Sequence, residues 1–158
     1  MFLCFVYLSC GTTGYEPLQL IRQDYSGQEI RLEGYYYFKE VVPMGPGTSI
    51  LFLYKNGVVY NFGVVPDTSL SKVDAFIKTI PHSSTDKPYA WGVFQVNDNK
   101  VKIEIWDIVS GGKNTTTLRE GKILNDSTIQ ISLFNRPNEF YRFRKFFPKP
   151  DSTNRFVE

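Results

Sequence analysis

A chain of 158 residues has the length of one domain, and 18 Lys and Arg against 16 Asp and Glu leave a formal charge of +2. That balance excludes a broad electrostatic nucleic-acid surface and gives no sign of a strongly acidic partner. Ten Tyr and 13 Phe dominate a 16% aromatic share, which favours pleated, half-buried surfaces and hence β structure.

The first element is an apolar run, Met1-Phe2-Leu3-Cys4-Phe5-Val6-Tyr7-Leu8, that ends at Ser9-Cys10-Gly11. It is too short to span a bilayer, which takes roughly 20 apolar residues, and matches the apolar core of a secretory signal, about 7–15 residues. A small residue followed by cysteine is how a bacterial lipoprotein signal peptide ends. Residues 1–9 are therefore expected to be removed, leaving Cys10 as the lipidated first residue. No Lys or Arg precedes the run, so the basic n-region is expected upstream of Met1. In the alternative reading, residues 2–9 form a buried strand and Cys4 and Cys10 are free thiols or a disulfide.

Residues 10–28 comprise the lipidated cysteine and a polar tether, and the folded domain is expected over 29–147. Its first strand candidate is Ile30 to Phe38, with Ile30, Leu32, Tyr36 and Phe38 on one face. Ser49 to Tyr54 and Val58 to Val65 follow, joined through Asn56-Gly57, a strong hairpin signal because both turn positions need positive φ. Residues 69–80 change period: Leu70, Val73, Phe76, Ile77 and Ile80 recur at three- and four-residue spacing. Ser69 suits the N-cap of that short helix, and Pro81 stops it. The helix is expected to plug or cover one end of the fold. Strands resume at Tyr89 to Asn97, Val101 to Ile108, Thr115 to Leu124, Thr128 to Phe134 and Glu139 to Phe147. Asp98-Asn99 and Asn125-Asp126 supply turns between them. Alternation of Val101, Ile103 and Ile105 with Lys102 and Glu104, and of Ile129 and Ile131 with Gln130, marks antiparallel sheet with one wet face. Residues 148–158 read as an extended, solvated tail. The total is an all-β fold of about eight antiparallel strands, a number that closes into a small up-and-down barrel.

Four stretches resemble the lipocalin-like group of small bacterial lipoproteins of unassigned function. They are Tyr89-Ala90-Trp91-Gly92-Val93-Phe94-Gln95-Val96, Lys102-Ile103-Glu104-Ile105-Trp106, Arg119-Glu120-Gly121-Lys122-Ile123-Leu124-Asn125-Asp126, and Tyr141-Arg142-Phe143-Arg144-Lys145-Phe146 with the following Pro148 to Asn154. Together they cover most of residues 30–154. The Gly-x-Trp of true lipocalins is replaced by Gly34-Tyr35-Tyr36. The resemblance implies a lipocalin-like barrel of the cell envelope, held to the bacterial outer membrane through Cys10, without catalytic residues. Residues 11–15 lack the acidic run of surface-exported lipoproteins, which by resemblance implies a periplasm-facing anchor.

Candidate chemistry is sparse. His82, the one histidine, reads as a loop residue with no second His to share a metal. Glu33, Glu104, Asp107 and Glu120 read as solvated charges; Glu104 and Asp107 fall on opposite faces of their strand. Tyr36, Phe52, Phe62, Tyr89, Trp91, Trp106 and Tyr141 are the candidates to line a ligand pocket, or equally to fill the barrel. Arg119, Arg142 and Arg144 form an anion pocket if their face is the lumen; if it is the outer face, Tyr141 and Phe143 supply the core. No cofactor, metal or nucleic acid is expected, and no enzymatic activity. The expected partners are the membrane, through Cys10, and a small hydrophobic or lipidic ligand. The alternative is a packed barrel that holds a protein partner in the envelope.

Overall fold

The computed structural model describes residues 16–79, 87–108, 114–132 and 137–157. Cys4, Cys10 and His82 lie outside them. The described chain forms β1 (Gly34–Val42), β2 (Gly45–Leu53), β3 (Val58–Val65), α1 (Leu70–Thr79), β4 (Trp91–Asn97), β5 (Lys100–Ile108), β6 (Asn114–Asn125), β7 (Thr128–Ser132) and β8 (Glu139–Lys145). All eight strands pair antiparallel in sequence order, and β8 returns to β1, so the sheet is a closed, lipocalin-like up-and-down barrel.

The turns follow the local chemistry in part: the β2–β3 hairpin forms over residues 55–57, but of Asn56 and Gly57 only Gly57 takes positive φ. Gly57 sits at φ +76° between β2 and β3, and a Cβ there would stand 2.1 Å from the Gln23 carbonyl oxygen. Asp98 takes φ +55° between β4 and β5, as a two-residue hairpin requires. β1 and β2 are displaced from the sequence expectation. Ile30 and Leu32 precede β1, which starts at Gly34, and β2 begins at Gly45, four residues before Ser49. The pairing of Val42 with Gly45 makes this a tight hairpin over Pro43-Met44. Pro46 and the glycines at 45 and 47 hide a strand from propensity reasoning.

Register separates the two faces of the wall. One cluster joins Tyr36, Leu51, Leu53, Val59, Phe94, Val101, Ile103, Ile105, Ile129, Ile131 and Tyr141. Side chains from all around the barrel meet only in the lumen, so this face is the interior. Tyr25 and Ile30 belong to the same cluster and close one end of the barrel, where Tyr25 N–H donates to the Lys55 carbonyl and Arg31 N–H to the Asp126 carbonyl. The opposite end carries the β1–β2 hairpin, the last residues of β5 and β7 and the first residues of β6 and β8.

The other faces of β1 to β4 build a second core outside the barrel. Tyr35, Ile50, Phe52, Tyr60, Trp91 and Val93 pack there with Val73 and Ile77 of α1 and with Phe146 and Val157 near the C-terminus. The helix thus lies against the outer wall and does not plug an end. Its apolar stripe has the predicted spacing, but its polar edge settles the position: Asp74 accepts from the Tyr35 hydroxyl at 2.7 Å and from Arg144 Nε at 3.1 Å. The expected tether and tail are also tied down. Trp106 Nε1 donates to the Glu16 carbonyl, Gln95 Nε2 to the Ile21 carbonyl, and Arg22 to the Val157 carbonyl. Residues 16–25 therefore form a strap down the outside of β5 and β4 towards the closed end.

Candidate functional site

The lumen changes character along its axis. Its closed half is apolar and filled by Tyr36, Leu53, Val59, Phe94, Val101 and Ile129 above the Tyr25–Ile30 floor. Its other half, which no segment among the described residues caps and which is called the open half, is polar. Phe38, Glu40, Ser49, Arg119, Glu139 and Tyr141 share the lumen parity: Ser49 pairs with Phe38, Arg119 with the buried Ile103, Glu139 with Ile131 and Tyr141 with Ile129. Directly paired residues point to the same face, so register alone converges these side chains from β1, β2, β6 and β8.

Within the group, the Ser49 hydroxyl donates to Glu40 Oε1, and the Tyr141 and Phe38 rings lie 5.7 Å apart. Burial pushes the Tyr141 phenol well above its ordinary pKa, and the Glu139 carboxylate pushes the same way. Arg119 pulls against both, so the phenol, the guanidinium and the carboxylates sense one another across the lumen. Nearer the mouth, the Thr117 hydroxyl donates to Asp107. Arg119 Nε is buried and has no hydrogen-bond partner among the described residues. Leaving a buried donor of a charged group unfilled costs roughly 1–3 kcal/mol or more, so an acceptor reaching Arg119 gains what the protein forgoes.

The residues singled out in the sequence divide between the two faces. Tyr36 and Tyr141 face the lumen. Phe52, Phe62, Trp91 and Trp106 belong to the outer core, where Trp91 stacks on Tyr60 at 4.8 Å and Phe62 meets Phe76 of α1 at 6.3 Å. Tyr89 stands in the turn before β4 with the Lys87 ammonium 5.6 Å from its ring centre. Arg142 and Arg144 share the outer face, opposite Tyr37 and Tyr35, whereas Arg119 faces inward; the three do not form one anion pocket. Tyr141 and Phe143 do supply the core on the other side of β8.

The carboxylates divide too. Glu33 and Glu120 pair at the surface with Arg31 and Lys102. Glu104, expected to be solvated, is fully buried because the strap covers it. Its Oε2 accepts the N–H groups of Gln19 and Leu20 at 2.8 and 2.7 Å, and its Oε1 has no partner among the described residues. Glu40, Ser49 and Glu139 were missed by sequence reasoning. Glu40 was within reach, since it continues the Tyr36–Phe38 parity by two residues. Glu139 and Ser49 needed the barrel register.

A barrel mouth of this kind can hold an apolar group against Phe38 and Tyr141 and a polar acceptor on Arg119. Among the described residues no group of three His, Cys, Asp or Glu is placed to hold a metal ion. No family model, no curated protein and no solved structure matches the chain.

Proposed function

We propose that this protein is a lipid-anchored barrel of the bacterial envelope, of the lipocalin-like lipoprotein kind, that binds a small amphipathic molecule in the open half of its lumen without transforming it. The carrying observation is the buried, unfilled Nε of Arg119 facing a lumen closed at its far end. Ligand pockets are mostly apolar with a few placed polar groups, and the open half has that composition. The filled closed half favours a short ligand over a long acyl chain. The anchor reading rests on the sequence ending at Ser9-Cys10, and acyl chains on one terminal cysteine suffice to hold a protein at a membrane.

Two experiments test this reading. Native mass spectrometry of the full chain, purified from cells without detergent, is expected to show a stoichiometric adduct released on denaturation. Arg119→Met is expected to lose it. An apo mass in both proteins, with nothing in the organic extract, contradicts ligand binding. For the anchor, Cys10→Ala expressed with a complete signal is expected to move the protein from the membrane to the soluble fraction. Persistent membrane association in that variant contradicts lipidation at Cys10.

A further inference from the structure

The β1–β8 seam is only partly closed. The ladder runs from Gly34 opposite Lys145 to Tyr37 opposite Arg142, yet β1 continues to Val42 and β8 starts back at Glu139. Above Tyr37 and Arg142 the two strands part. A cleft of about 320 Å³ lies there, lined by Tyr37, Phe38, Lys39, Phe140 and Arg142. Tyr37, Lys39 and Arg142 belong to the outer face, whereas Phe38 belongs to the lumen. Successive side chains of a strand point to opposite faces, so the cleft reaches through Phe38 the strand position whose ring lies 5.7 Å from Tyr141 on the lumen face.

The chemistry of the cleft is specific. Lys39 and Arg142 are exposed and, among the described residues, neither is in an ion pair, whereas Arg31, Lys102 and Arg144 each hold a carboxylate. Phe140 leaves 46% of its surface in water beside them. Two uncommitted cations next to exposed rings match a ligand with an anionic head and an apolar body. A guanidinium binds the oxygens of a carboxylate or phosphate in pairs, and an ammonium adds a point charge. The volume is at the small end of the ligand-pocket range, about 300–1,000 Å³, which suits a single short chain rather than a bilayer lipid.

We propose that the parted seam is a side entrance that binds a free, short-chain amphipathic anion, with Lys39 and Arg142 on the carboxylate or phosphate head and Phe38 and Phe140 on the apolar body. This rests on the small-molecule reading above and names the class of ligand and its route into the lumen.

The test titrates the full chain with decanoate, decyl phosphate, decanol and decyltrimethylammonium by calorimetry. Decanoate and decyl phosphate are expected to bind at least about tenfold more tightly than the neutral and cationic probes. The Lys39→Gln, Arg142→Gln double variant is expected to remove that preference while its melting temperature and its weak decanol binding stay unchanged. Equal binding of all four probes, or anion binding indifferent to the double substitution, overturns the seam; if Arg119→Met abolishes that binding, the lumen reading stands. Binding to anionic phospholipid vesicles with none to the free anions also overturns it. No binding of any probe, together with an apo mass in the native spectrum, overturns both readings.

Discussion

At the scale of single residues, burial and pairing give side chains of one type quite different tasks. Arg142 and Arg144 stand two apart on one face of β8. Arg144 is nevertheless fixed by Asp74, which also takes the Tyr35 hydroxyl. Burial raises the Asp74 pKa, but Arg144 and the Tyr35 hydroxyl outweigh it and hold the carboxyl below its ordinary value. Stability from this group is present above the unfolded pKa, near 3.8, and is lost as pH falls through the depressed folded value. Asp74→Ala is expected to cost about 2 kcal/mol in denaturant unfolding, because it strands a guanidinium and a buried phenol. A cost under about 0.5 kcal/mol contradicts that role. Lys149 is a second case: its ammonium donates to the carbonyls of Leu32 and Leu53 at 2.7 Å and sits 4.1 Å from the Tyr54 ring centre. Burial lowers its pKa to about 8 against a small opposing pull from Glu33. Nitrogen-detected NMR of the Lys149 side chain is expected to show titration near 8; a value near 10.5 contradicts its burial.

Among elements, the strap 16–25 and the helix depend on the outer face of the barrel. Ile77 is 5% exposed in the outer core, so Ile77→Ala is expected to cost about 2–4 kcal/mol with its cavity. An exposed helix plugging an open end would lose much less. Glu104 holds the strap through one oxygen, and Glu104→Gln keeps an acceptor for Gln19 and Leu20. Hydrogen exchange at those two amides is expected to stay slow in Glu104→Gln and to speed up in Glu104→Ala; equal rates in both variants contradict the assignment. The strand hairpins were legible because period two and paired turn residues such as Asn56-Gly57 are local signals. Which face was inside was not. Along β2, Ile50 and Phe52 are as apolar and as buried as Leu51 and Leu53, so alternation carries no sign there. The aromatic residues looked like lumen for that reason, although Phe52, Trp91 and Trp106 meet α1, the strap and the C-terminal segment outside the wall. Glu104 looked solvated because its cover comes from residues more than eighty positions away.

The described molecule is a closed barrel with an apolar, sealed end and a polar end that no described segment caps, wrapped outside by α1, the strap 16–25 and residues 146–157. Its alkaline behaviour follows from its buried groups. Between about pH 8 and 10 the folded protein binds fewer protons at Lys149 than the unfolded chain, so that group adds stability as pH rises. At about pH 9.5 the sign reverses, because four tyrosines then outweigh one lysine. Burial raises the phenols of Tyr35, Tyr36, Tyr54 and Tyr141 above the unfolded value of 10.0 and outweighs the opposing pulls of Arg144 on Tyr35 and Arg119 on Tyr141, so stability is lost as the unfolded tyrosines ionise. Thermal melts across this range are expected to pass through a maximum at about pH 9.5; a steady decline from pH 8 contradicts the burial of Lys149.

The central claim is that the open half of the lumen, and not the outer core, takes a ligand. Two-dimensional NMR of the full chain during a decanoate titration tests it most directly. The account predicts saturable shifts at the Arg119 Nε–H and at the Phe38 and Tyr141 rings, while the Val73 and Ile77 methyls of the outer core stay still. Shifts confined to the outer core, with Arg119 and Tyr141 unmoved, would contradict it.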